Sequence, residues 1–130
     1  MRALLDTHAF VWLATDQARL GAGAVEVIRG CEEGLYISAV TPWEIGLLIK
    51  RGRLEFTRPP AKVIRAALRQ HGIEEIPVSG EDALRSVELP EIHRDPFDRL
   101  LVELARRENL VLISKDAQLA RYPGVRVVWD

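Results

Sequence analysis

Short apolar runs recur along the chain at residues 2–6, 35–40, 73–78, 110–113 and 125–129, and the segments between them place apolar residues at helical spacing. Such runs suit strands of a parallel sheet covered on both faces, where neither face alternates with water. The runs Leu-Tyr-Ile-Ser-Ala-Val at 35–40 and Leu-Val-Leu-Ile at 110–113 are the clearest, and the run at 73–78 is interrupted by Glu74 and Glu75. Helices are predicted over residues 8–14, 24–33, 41–51, 61–71, 80–88, 96–108 and 117–120. Their buried stripes are read as Phe10, Val11 and Ala14, then Val25, Ile28 and Cys31, then Ile45, Leu48 and Ile49, then Val63, Ala67 and Leu68, and finally Phe97, Leu100, Leu101, Leu104 and Ala105.

Local signals set the ends of these helices. Thr7 reads as the cap of the first, and Gly34 as the end of the second. Thr41-Pro42-Trp43-Glu44 reads as a capping box with proline at the first helical position, and Gly52 closes that helix. In His93-Arg94-Asp95-Pro96-Phe97-Asp98-Arg99-Leu100-Leu101, Asp95 reads as the N-cap, Pro96 as the first helical residue and Asp98 as the third. Strands and helices alternate throughout, without repeats or linkers. That order predicts an α/β fold, a three-layer α/β/α sandwich around a mostly parallel sheet of about five strands. The chain of 130 residues is one domain's worth, so residues 1–130 are read as a single domain.

Composition narrows the class. With 48% hydrophobic residues the chain can fill a real core, and its single cysteine, Cys31, excludes an internal disulfide and a cysteine zinc cluster. No run approaches the roughly 18 apolar residues of a membrane span, and the opening Met-Arg-Ala-Leu-Leu-Asp meets a charge too early for a signal-peptide core. A soluble cytoplasmic protein with no membrane partner is expected. The net charge of −1 conceals a segregation: residues 50–73 hold seven basic groups and one acidic, and residues 74–98 hold two basic and eight acidic. Each block can be an ordinary solvated helix face. Alternatively, Lys50, Arg51, Arg53, Lys62, Arg65 and Arg69 form a grip for a polyanion beside an acidic site.

Chemistry in an open parallel sheet collects at the carboxyl ends of the strands. Asp6 ends the first strand, Glu44 lies in the first turn of the helix after the second, Asp98 opens the helix before the fourth, and Asp116 follows the fourth. Three of them have plain structural readings. Glu44 can complete a capping box, Asp98 can favour its helix dipole, and Asp116 can cap a short helix. Asp6 is harder to explain away, because it interrupts an apolar run where a carboxylate wants a cation. Clustered carboxylates raise one another's pKa, and a divalent cation removes that penalty. Oxygen ligands alone select Mg2+, with Mn2+ as substitute, over zinc, and such a metal can activate water against a phosphodiester.

Together these blocks resemble the PIN-domain ribonucleases of the VapC toxin type. Leu4-Leu5-Asp6-Thr7-His8 is similar to the family's opening motif, and Ser38-Ala39-Val40-Thr41-Pro42-Trp43-Glu44-Ile45 to its second. The block from His93 to Leu101 is similar to one typical of a branch of the family, and Leu112-Ile113-Ser114-Lys115-Asp116 to the last acidic motif. That last motif more often carries threonine and arginine where Ser114 and Lys115 stand. The resemblance covers essentially the whole chain. It implies a metal-dependent endoribonuclease cleaving RNA, with Asp6, Glu44, Asp98 and Asp116 as catalytic metal-binding acids. It also implies a homodimer and a cognate VapB-type antitoxin.

Around the acids, Thr7 and Ser114 carry hydroxyls that can support a carboxylate, and Asp95 is a supporting cap. Arg99, grouped with the supporting residues, points about 100° away from Asp98 on a helix, so it pairs elsewhere or touches substrate. His93 can orient the loop before Asp95 or bond backbone, and His8 reads as a helix-start histidine. Trp12, Trp43 and Trp129 read as core or dimer contacts. Two alternatives stand beside the nuclease: a phosphate enzyme with a nucleophilic aspartate, poorly served by Thr7 and His8 after Asp6, and a non-catalytic RNA- or protein-binding PIN-like module.

Overall fold

The computed structural model describes residues 1–130. Five strands form one sheet in the order β3-β2-β1-β4-β5, and every neighbouring pair is parallel. The strands are β1 (Ala3–Leu5), β2 (Leu35–Ser38), β3 (Ile73–Ile76), β4 (Val111–Ile113) and β5 (Arg126–Val128). The helices are α1 (Thr7–Thr15), α2 (Ala22–Gly30), α3 (Val40–Lys50), α4 (Pro60–His71), α5 (Gly80–Glu88) and α6 (Pro96–Glu108). Two 3-10 turns, Gln17–Arg19 and Ala117–Arg121, complete the chain.

The sheet separates two apolar clusters. One gathers Leu5, Phe10, Leu13, Val27, Ile37, Ile45 and Ile64 from β1, β2 and α1 to α4, and the other gathers Leu4, Leu101, Leu104, Leu112, Leu119 and Tyr122 against α6. Leu4 and Leu5 are both fully buried, one in each cluster, which is why their run carries no polar alternation. The chain builds β1, β2 and β3 outward on one side, then returns through α5 and α6 to place β4 on the other side of β1. Beyond the carboxyl ends of β1 and β4, where the strand order reverses, such a sheet opens a crevice.

Several boundaries differ from the sequence reading, each for a local reason. Asp6, not Thr7, caps α1, since its carboxylate accepts the Ala9 N–H at 2.8 Å. The predicted capping box at Thr41 does not form. Strand β2 stops at Ser38, whose hydroxyl accepts the Val40 N–H, so α3 starts earlier and Thr41 lies within it with its hydroxyl buried and unpaired. Helix α2 ends at Gly30 and buries Ala24 and Val27, so Val25 and Ile28 are only half-buried. Its entry is packed against the end of the sheet: a Cβ on Gly21 would come 2.3 Å from the Trp129 carbonyl oxygen. Helix α6 keeps its predicted bounds, with Asp95 accepting the Phe97 N–H and Pro96 leading the first turn.

Candidate metal centre in an acidic cleft

The crevice at the strand-order reversal is a cleft of about 450 Å³ lined by Asp6, Thr7, His8, Trp12, Glu44, His93, Asp95, Asp98, Lys115 and Asp116. Pairing of Leu5 with Ile113 sets the residues after β1 and β4 at one level, and the Asp6 N–H donates to the Ile113 carbonyl. Asp6 therefore points from the middle of the sheet, and Ser114 stands beside it.

The four acids arrive on four segments. Asp6 uses one oxygen to cap α1 and is 8% exposed. Glu44, in α3, accepts the Thr7 hydroxyl at 2.5 Å, so its structural partner is the neighbouring helix and not the Thr41 backbone. Asp98 projects from the first turn of α6, three residues after its cap. Asp116 caps the turn after β4, accepting the Gln118 N–H on Oδ1 at 2.9 Å, while its own N–H donates to Ser114 Oγ. The Thr7 hydroxyl thus donates to a site carboxylate, Ser114 Oγ accepts a backbone N–H, and Asp95 both caps α6 and lines the cleft.

Without a cation this cluster is electrostatically costly. Burial, and then the charges of Asp95, Asp6, Glu44 and Asp116, push the Asp98 carboxyl up to about 8. Burial raises Asp6 as well, opposed by the Ser114 hydroxyl and the Ala9 N–H, and burial raises Glu44 against the Thr7 hydroxyl. These are the carboxyl groups that a bound cation would ionise. Their donor set is hard oxygen, which fits Mg2+ or Mn2+ better than zinc.

His93 is the residue that sequence reasoning underrated. Its Nε2 lies 2.8 Å from Asp116 Oδ2 and 3.4 Å from Asp98 Oδ2, so the ring stands between two of the acids. One ligating atom from each of His93, Asp98 and Asp116 falls within 4.8 Å of the others. The signal was its place five residues before Asp98, but only the loop's path shows where the ring points.

Arg99 reaches neither acid nor cleft. It is 8% exposed and donates to the carbonyls of Ser86, Val87, Leu89, Pro90 and His93 and to the Tyr122 hydroxyl. Of its two sequence readings, the bonds correspond to pairing elsewhere: the guanidinium is engaged by the loop that carries His93. Lys50, Arg51, Arg53, Lys62, Arg65 and Arg69 are exposed, and none lines the cleft. Helix α3 begins at the acidic edge and runs away from it, so Lys50 at its last position lies about 9 Å along the axis from Glu44. The one lysine in the cleft wall is Lys115. It forms no ion pair, and its Nζ sits 5.8 Å from the centre of the Trp12 ring, which also carries Arg19 at 4.9 Å.

A PIN domain is matched over residues 3–125. Ribonuclease VapC22 of Mycobacterium tuberculosis is 28% identical over 129 residues, covering 97% of each chain. Among solved structures, a VapBC2 complex of Rickettsia felis bound to a promoter DNA fragment superposes with a TM-score of 0.75 at 16% identity, covering 100% of both chains. A toxin–antitoxin complex from Klebsiella pneumoniae gives 0.66 at 23% identity, over 97% of this chain and 95% of that one. Strands β1 to β4, the crevice beside β1 and the four converging acids all lie within the matched span, and the chain belongs to the PIN-domain family.

Proposed function

We propose that the chain is a divalent-metal-dependent endoribonuclease, acting as the toxin of a toxin–antitoxin pair. The observation that carries this reading is the convergence of Asp6, Glu44, Asp98 and Asp116 from four segments on one cleft, with Asp98 raised to about 8 in the absence of a cation. Structural ion clusters balance opposite charges, whereas here five carboxyl groups share a cleft with one lysine. The relatedness to a ribonuclease over nearly the full chain supports RNA as substrate.

Asp6, Glu44 and Asp98 would hold Mg2+, with Asp116 beside them. When bound, the cation supplies charge neutralisation, activation of a water at neutral pH and a contact for a phosphodiester oxygen. The protein's own groups do the rest. Thr7 fixes the Glu44 carboxylate and Ser114 supports Asp6, so the ligands are held before the cation arrives. Lys115, unpaired and held over Trp12, offers a positive charge to an RNA phosphate at the rim. Lys50, Arg51, Arg53, Lys62, Arg65 and Arg69 would meet only the more distant backbone of a long substrate.

The likeness to antitoxin-bound complexes supports a VapB-type partner, and a homodimer is consistent with exposed Trp43, Leu84 and Val87. No helix is long and apolar enough to cross a membrane. The decisive experiment is cleavage of RNA by the purified protein with Mg2+ or Mn2+, with chelator, and with Asp6→Asn. Cleavage that survives chelation, or that is unchanged in Asp6→Asn, would overturn the proposal. Metal uptake without any cleavage would point to a non-catalytic module.

A further inference from the structure

We infer that His93 is a positioning residue: its ring acts through a fixed Nε2–H as a hydrogen-bond donor to Asp116, beside Asp98, and does not ligate the metal. The argument rests on the other side of the ring. The Asp95 backbone N–H donates to His93 Nδ1 at 3.1 Å. An N–H can be received only by a nitrogen without a proton, so Nδ1 is bare and the proton of the neutral imidazole sits on Nε2. That nitrogen faces Asp116 Oδ2, an acceptor, at 2.8 Å, with Asp98 Oδ2 3.4 Å away. Ligation through Nε2 would need the proton moved to Nδ1, where it would meet the Asp95 N–H head on. In the three-residue group that spacing alone offers as a metal site, His93, Asp98 and Asp116, the ring is therefore a donor to Asp116 rather than a ligand.

The loop leaves little freedom to undo this. The His93 N–H donates to the Tyr122 hydroxyl at 2.9 Å, and the His93 carbonyl accepts from Arg99 at 3.1 Å. Arg99 also donates to the Tyr122 hydroxyl and to four more carbonyls of residues 86–90. Tyr122 is 2% exposed, so the frame that carries the ring is part of the core. Asp95 belongs to the same device: its carboxylate caps α6 while its N–H sets the tautomer of His93. With both oxygens of Asp116 engaged, one by Gln118 and one by His93, that acid is the least available of the four for direct coordination. His93 thus holds the Asp116 carboxylate in place and leaves Asp6, Glu44 and Asp98 to take the metal.

This inference takes the proposed metal centre as given, but its first test needs no metal. In the 15N-labelled protein with chelator, His93 Nε2 is expected to show a one-bond proton coupling, and Nδ1 the downfield shift of an unprotonated ring nitrogen. Adding Mg2+ should leave that pattern in place. Loss of the Nε2 proton with a large shift of Nε2 on metal addition would make His93 a ligand and overturn the inference, as would a proton on Nδ1 in the metal-free protein. Mn2+ titration followed by EPR supplies the second arm. His93→Gln, which retains an N–H at the Nε2 position, is expected to stay within about threefold of the unsubstituted protein, while His93→Ala should weaken binding by roughly tenfold or more. Equal affinities in all three would overturn the positioning role. Failure of the unsubstituted protein to take up Mn2+ would overturn the metal reading and the positioning role with it. The NMR result on the proton would still stand as a separate observation.

Discussion

Two regions of this molecule bury charge, and they solve the problem in opposite ways. Arg99 is taken from water with every nitrogen engaged, by five carbonyls and a tyrosine hydroxyl, none of them charged. Asp98, its neighbour in sequence, is raised to about 8 by burial and then by the charges of Asp95, Asp6, Glu44 and Asp116. One turn of α6 therefore holds a satisfied cation on one side and an unsatisfied anion cluster on the other. A buried charge whose hydrogen bonds are complete is architecture. A buried cluster of one sign is a place kept for something else. His93 joins the two, since its carbonyl belongs to the first and its Nε2 to the second.

That contrast can be broken from either side. The largest effect is expected from Asp98→Asn or Asp6→Asn: RNA cleavage should fall by roughly a hundredfold or more, with the far-ultraviolet circular dichroism unchanged. If the variants unfold instead, the acids are structural and the contrast fails. On the other side, Arg99→Met should leave several carbonyls unpaired and cost about 3 kcal/mol or more in urea unfolding. An effect within about 0.5 kcal/mol, as for an ordinary surface change, would show that the buried guanidinium is dispensable.

Next comes a pH effect. The Asp98 carboxyl titrates near 8 in the folded protein against its ordinary value of 3.8. Between those values the unfolded chain has released the proton that the folded one retains. The metal-free protein should then lose stability as pH rises through this window, and most of the loss should be complete by pH 8. Melting temperatures measured in chelator should fall from pH 5 to pH 8, and Mg2+ or Asp98→Asn should flatten the trend. A rising or flat trend in chelator would remove the electrostatic argument for a metal. The smallest effect is expected from Lys62→Ala, Arg65→Ala and Arg69→Ala combined. These residues lie outside the cleft wall, so cleavage of a short RNA should be unchanged. Binding of a long RNA should lose roughly one unit of salt slope for each cation that touches phosphate. Equal losses on short and long RNA would bring the basic helix into the site.

What was legible in the residues themselves is whatever depends on near neighbours. The bounds of α6 follow from Asp95, Pro96 and the apolar stripe, because a cap and a first-turn proline act within one turn. The parallel sheet follows from short apolar runs separated by helices, and the four acids could be placed at strand and helix mouths. The sequence also offered Thr41 as a cap and Glu44 as its partner, a local solution that was chemically sound. It lost because Thr7, distant in sequence and adjacent in space, offers Glu44 a hydroxyl that ties two helices together.

The rest was decided by contacts between distant segments. Only the crossover that sets β4 beside β1 brings Asp6 and Asp116 to one crevice, and only the loop held by Arg99 and Tyr122 turns His93 between Asp98 and Asp116. Nor could the chain show that its basic residues stand outside the cleft wall, with α3 carrying Lys50 away from the edge at which Glu44 starts. By itself the sequence determined which residues could bear charge and which elements would carry them. The tertiary structure decided which charges would be answered by hydrogen bonds and which left facing one another, because desolvation and repulsion exist only once the chain has closed around them.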